Sequence, residues 1–137
     1  MASDAQLLQQ AVFSHLAADT ALIALLGGAK VHDRPPDSAA MPFVSLGMTR
    51  AFNADTASER AQEHLFTLHI WSSAGGRNEA MLVADAVRLR MESLPSVSGT
   101  MRIISVRAQG EDIEHDPDLR AFHGVLRFRA VTEAVTV

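Results

Sequence analysis

The sequence predicts an α+β fold: a mostly antiparallel sheet of four to five strands, with one helix packed on one face and an N-terminal helical arm. One predictor is the alternating strand over residues 63–71, which is followed by Gly75-Gly76 and then by helical periodicity over about 77–93. The other is the order of elements, because hairpin-linked strands pair antiparallel. A length of 137 residues fits a single domain, 1–137.

Two helices are predicted at the N-terminus. Ser3 or Asp4 can cap a first helix that runs to about residue 17. Asp19 can cap a short second helix that ends before Gly27-Gly28. We expect these two helices to form one bent arm.

The strands follow in order. A short strand over 31–33 ends before two prolines, and the next strand spans 43–52. A polar connection, 53–62, leads into the strand 63–71, and the C-terminal third predicts a long hairpin with strands over 100–109 and 121–133. The connection 53–62 and the hairpin tip 109–120 are both polar, and we expect them to be mobile in the free subunit.

The predicted core combines the inward positions of the strands with the apolar stripe of the helix. Its members are Phe66, Leu68, Ile70, Val83, Val87, Leu126 and Phe128.

Composition excludes several classes of protein. With 47% hydrophobic and 20% charged residues the chain is globular, and a net charge of -4 argues against wrapping nucleic acid. The sequence has no cysteine, which excludes disulfides and thiolate sites and fits a reducing compartment. The first turn has no basic residue, so no signal peptide is expected, and the longest apolar run, Ala21 to Leu26, is too short to span a membrane.

Candidate catalytic and metal motifs fail on spacing. The six histidines show no metal-ligand spacing, and His64 and His69 lie on opposite faces of one strand. The acidic segment 111–118 lacks the glycine and glutamate of a calcium loop, since the sixth and twelfth positions counted from Asp112 are Pro117 and His123. A solvated acidic tip is the favoured interpretation, with a bound cation left open. No serine lies in a nucleophile elbow and no lysine follows the glycine pair, so we predict no catalytic, cofactor-binding or metal residue.

Arginine dominates the basic residues, at eleven of twelve. Arginine is enriched in protein interfaces, although genomic base composition is an alternative explanation.

Several segments together carry a family resemblance that spans nearly the whole chain. They are Leu25–Gly28 at the end of the helical arm, Val31–Pro36, Met41–Gly47, His69–Ser72 before a glycine-started helix, and His123–Arg129. In order and spacing the chain resembles the tail terminator (tail-completion) proteins of long-tailed bacteriophages and gene transfer agents.

The resemblance implies a structural virion protein and no enzyme. It implies a homo-oligomer, a hexameric ring that caps the tail tube, ends its polymerisation and joins the tail to the head. The implied partners are the major tail tube protein and the head-side connector or stopper protein. DNA would pass through the lumen without specific binding, and no membrane or cofactor is implied. The implied location is the head–tail junction of the virion, after assembly in the bacterial cytoplasm.

If a ring forms, we expect exposed arginines of one subunit to meet acidic groups of its neighbour. The predicted interface residues are Arg50, Glu59, Arg60, Glu63, Glu111, Asp112, Arg127 and Arg129. Two other functions stay open on the sequence: a small cytosolic enzyme or ligand-binding domain whose pocket is not recognised, and a neighbouring connector (stopper) component. An enzyme would need convergent polar groups in a cavity.

Overall fold

A computed structural model describes residues 3–135, over which three helices and six strands form. In chain order they are α1 (Asp4–Ala17), α2 (Thr20–Leu26), β1 (Val31–His32), β2 (Phe43–Asn53), β3 (Ala61–Ser72), α3 (Asn78–Met91), β4 (Val97–Ser98), β5 (Met101–Asp116) and β6 (Ala121–Ala134). The predicted α+β class is confirmed, and the predicted helix over about 77–93 is α3.

The first two helices begin and end where the sequence predicts. Ser3 caps α1 by a reciprocal pair of hydrogen bonds with Gln6, which satisfies two free backbone N–H groups. The Asp19 carboxylate accepts a hydrogen bond from the N–H of Ala21 at the start of α2. Gly27, at φ 76°, ends α2 in the left-handed conformation that glycine adopts without strain.

The six strands form one mixed sheet in the order β1-β2-β3-β6-β5-β4. All neighbouring strands run antiparallel except β1 and β2, which are parallel. The sheet therefore has one strand more than the upper end of the predicted four to five. The prediction missed β4 because two residues are too few to show an alternating pattern.

All three helices lie on one face of the sheet and share its core. Leu8, Val12 and Leu16 of α1 are buried against the sheet and α3, and Leu22 and Leu26 of α2 are buried as well. The predicted N-terminal helical arm thus packs on the sheet and on α3, which cover the apolar stripe of α1. All seven predicted core residues are buried.

The C-terminal hairpin is longer than its sequence pattern indicates. Strand β5 continues to Asp116, and its last residue pairs with Ala121 at the start of β6. The tip is thus residues 117–120, and the expectation of a long irregular tip over 109–120 is wrong. Two of the acidic residues that resemble a loop in sequence, Glu111 and Asp112, instead lie in the strand and pair with arginines.

The register gives the sheet two unlike faces. Phe66, Leu68 and Ile70 of β3 point toward the helices, whereas Thr67 and His69 point away from them. We call the side without helices the outer face.

Over residues 3–135, no helix is long and apolar enough to cross a membrane.

Candidate subunit interface

Arginines gather on the outer face along one row of paired residues. Arg50 of β2 pairs with Leu65 of β3, which pairs with Arg129 of β6, which pairs in turn with Arg107 of β5. Arg127 lies one outward position along β6. Four positive side chains therefore share this face, which the helices leave uncovered.

Two of these arginines are paired with acidic groups of the same subunit. The Nε of Arg129 donates to a Glu63 carboxylate oxygen at 2.9 Å. This hydrogen bond lowers the pKa of Glu63 and raises that of Arg129. Arg127 donates to Asp112 at 2.6 Å.

Glu111 points to the other face of the sheet. There it accepts a hydrogen bond from Arg88 of α3, which also binds Asp85 at 2.6 Å. Hydrogen bonding to Asp85 is the main cause of the raised pKa of Arg88. Five of the eight predicted interface residues are thus satisfied within their own subunit, which lowers their capacity to bind a neighbour.

The other three predicted residues are exposed at one end of the sheet. Arg50 lies near the end of β2, and Glu59 and Arg60 lie in the turn that joins β2 to β3. That turn has internal hydrogen bonds, since the N–H of Glu59 donates to Thr56 Oγ1. The carbonyl of Arg60 accepts from the N–H of Ala134. Among the ion pairs of residues 3–135, none uses Arg50, Glu59 or Arg60.

The same turn borders an open cleft of about 580 Å³ between the start of α1 and the ends of β2 and β6. Polar groups here serve the local backbone: Asp55 accepts from the N–H of Ala61, and Asn53 accepts from the N–H of Asp55. These contacts hold the turn in place and occupy the side chains of Asn53 and Asp55.

A histidine and tryptophan cluster occupies the opposite end of the outer face. His69 Nδ1 and His123 Nε2 lie 2.7 Å apart, and the His123 ring stacks on Trp71 with centroids 3.8 Å apart. Burial lowers the pKa of both histidines, and the charge of His123 lowers the pKa of His69 further. The sequence did not reveal this pair, because only the register of β3 with β6 brings the two residues together.

The pair does not form a metal site in the described chain. Within residues 3–135, no three histidine, aspartate or glutamate side chains are arranged to hold a metal ion. His69 also contacts Thr67 Oγ1 at 3.1 Å, so its second nitrogen has a protein partner.

Two strand edges remain open for much of their length. Strand β1 covers only Val44 and Ser45 of β2, and β4 covers only Met101 and Arg102 of β5. Register shifts interrupt β2 between Leu46 and Thr49 and β5 at two places before residue 110. Beyond these shifts the segments 49–53 and 110–116 are regular, and no strand within residues 3–135 pairs with their open edges.

Comparison with known proteins gives one matching family and similar solved structures. The family model described as tail completion protein gp17 matches residues 10–133. A chain from the virion of a native gene transfer agent particle is similar, with 28% identity, a TM-score of 0.83, and coverage of 98% of this chain and 100% of that one.

The bacteriophage SPP1 gp17 protein has a similar fold. It shares 20% identity at a TM-score of 0.63, with 97% of this chain and 94% of that one covered. A search of curated proteins gave no match.

Proposed function

The chain belongs to the tail completion protein gp17 family, and from that premise we propose that it closes the head-proximal end of a tail tube as a homo-oligomeric ring. The family makes it a structural protein of a virion tail, as its resemblance implies. In the proposed role the ring stops addition of tube subunits and then binds the head-side connector. DNA passes through its lumen.

One observation carries the proposal. The family model spans residues 10–133, and nearly the whole chain superimposes on a component of a gene transfer agent virion. Because the family model covers nearly the whole chain, the match includes the surfaces that would contact partners.

The surface chemistry supports assembly as the function. The outer face and two strand edges are uncovered, and apolar side chains are also exposed on the helices, with Leu82 and Leu89 of α3 47% and 68% exposed. Natural proteins usually protect such edges and patches unless they contact a partner. A cyclic ring uses two different surfaces of each subunit, which fits a molecule with several open surfaces.

Deletion of the gene in the producing cell tests the role directly. We expect tails of irregular, excessive length and heads without tails by electron microscopy, and rescue by the wild-type gene. A stopper component would instead leave tail length normal. Tails of normal length joined to heads in the deletion strain would contradict the proposal.

A charge-reversal series then tests the predicted contact residues. Arg50→Glu and Arg60→Glu, whose side chains form no ion pair within residues 3–135, should impair tail completion. Arg127→Glu serves as the comparison, since its partner Asp112 lies in the same subunit. Unchanged tail completion in both the Arg50 and Arg60 variants would remove these arginines from the interface.

A further inference from the structure

Resting on the proposed ring, we infer that neighbouring subunits join by strand addition, in which segment 49–53 of β2 pairs with segment 111–115 of β5 in the next subunit. Both segments are regular, and along the open edge of each strand the backbone groups pair with no other strand of residues 3–135. Such an edge is a template for another strand. The strand that pairs with each edge belongs to a second copy of this chain.

The number of strands gives the direction of pairing. Between the two open edges lie β2, β3, β6 and β5, each antiparallel to its neighbour. Because this repeat is even, a copy that keeps the same strand direction places its β2 antiparallel to β5. Alternation then continues through every subunit, and antiparallel pairing is the more stable kind.

Charge selects the register. Arg50 and Arg107 lie in the same row of paired residues, so two subunits joined without a shift along the strands would place Arg50 opposite Arg107 of the neighbour. Like charges directly opposite each other are unfavourable. A shift along the strand sets Arg50 opposite Glu114, an exposed residue that forms no ion pair among the described residues. Both side chains then lie on the outer face, as the pleat requires.

The inner positions and the ends of the strands agree with this register. Ala51 comes opposite Ile113, which pairs two apolar side chains. Strand β5 then ends at Asp116, level with Met48, before it reaches β1 beside Val44 and Ser45. Likewise β2 ends at Asn53, level with Glu111, well short of β4.

The required shift is compatible with a closed ring. Six residues of β6 separate Arg129, level with Arg50, from His123, level with Glu114. Six residues correspond to an offset of about 20 Å along the strands, and the four strands of one subunit span about 19 Å across the sheet. An offset about equal to the width means that the strands would tilt by roughly 45° to the ring axis. Closed sheets tilt by about 35–45°, so the geometry lies at the upper end of that range.

Cysteine cross-linking tests the register, because the native chain has no cysteine. In the assembled ring, or in whole particles, Ala51→Cys with Ile113→Cys should give a ladder of covalent multimers under oxidising conditions. Directly opposite residues of antiparallel strands lie within reach of a disulfide. The matched control is Ala51→Cys with Val106→Cys, since Val106 lies level with Ala51 and is half-buried like Ile113. It should stay uncross-linked.

A charge swap gives a second measurement. Arg50→Glu and Glu114→Arg should each weaken ring formation about tenfold or more, and the double variant should recover most of it. Thermal melting of each purified variant checks that the fold is intact.

The outcomes separate this inference from the proposed function. Rings that form while only the control pair cross-links, or neither pair, overturn the strand pairing and leave the ring proposal standing. A protein that forms no ring alone or on tails overturns both.

Discussion

The two faces of the sheet come from the same central strands, yet their surroundings differ completely. On the inner face of β3, Phe66, Leu68 and Ile70 are at most 7% exposed beneath the helices. On the outer face Leu65 and His69 are only half-buried, and Leu65 lies between Arg50 and Arg129.

This difference separates stability from assembly. Burial of apolar area is the main favourable term in folding, so the inner face supplies most of the stability. Charged and polar groups at a surface contribute little to it and are free to be specific for a partner. Substitutions on the two faces should therefore have different consequences.

The largest effect is expected from Phe128→Ala. Phe128 is 1% exposed and stacks on Phe66 with ring centroids 5.4 Å apart. Its truncation should lower the free energy of unfolding by about 3–5 kcal/mol in chemical denaturation. Leu65→Ala on the outer face is the control and should cost about 1 kcal/mol. Equal losses would mean that the outer face is also part of the core.

The next largest effect concerns Gly47 on β2. A Cβ at this position would overlap the side chains of His69 and Thr67. Because His69 is held by His123 and Thr67, we expect Gly47→Ala to cost about 1–3 kcal/mol in thermal melting. Gly75→Ala has open space around it and should change stability by less than about 0.5 kcal/mol. A Gly47 variant as stable as the Gly75 variant would show that the side chains of His69 and Thr67 move aside at little cost.

A smaller, graded effect is expected with pH. Burial lowers the pKa of His15, His64, His69 and His123 below the ordinary 6.5. The unfolded chain therefore binds protons first, and stability should fall as pH drops below about 6.5 while staying constant above it.

The groups that face these histidines do not reverse the trend. Arg127 opposes a charge on His69, whereas Asp116 and Glu114 partly favour one on His123, and Asp4 partly favours one on His64. Melting from pH 8 to pH 5 measures the slope, and His123→Gln should flatten it. A stability that rises toward pH 5 would contradict this assignment.

The smallest effect is expected at the link between α3 and β5. Arg88→Gln removes the ion pairs with Asp85 and Glu111, which are about a third exposed or more, so the loss should be below about 1 kcal/mol. The loss should shrink further in high salt. Arg107→Gln is the control, as Arg107 forms no ion pair within residues 3–135. A salt-independent loss would indicate that Arg88 acts through packing.

Local patterns predicted the elements well where one residue type acts on its neighbours. The cap at Ser3, the stop at Gly27 and the inward parity of Phe66, Leu68 and Ile70 all depend on residues a few positions apart. The family was also identified from segments in order along the chain, and the family match confirms it.

The candidate interface was much less accessible from the sequence. Charges of opposite sign looked available for a neighbour, but Arg127 with Asp112 and Arg129 with Glu63 pair within one subunit. The cluster of His69, Trp71 and His123 is formed by two strands that are more than fifty positions apart. Neither fact can be obtained without the strand register.

The sequence by itself determined the α+β class, the helix ends, the core residues and the family, because each depends on periodicity, caps or motif order within a continuous segment. Only the tertiary structure decided which elements pack against α1, that β5 extends to Asp116, and which strand edges stay open. Those features depend on pairing between distant segments. One shift in register moves every side chain of a strand to the other face, and local sequence does not specify that register alone.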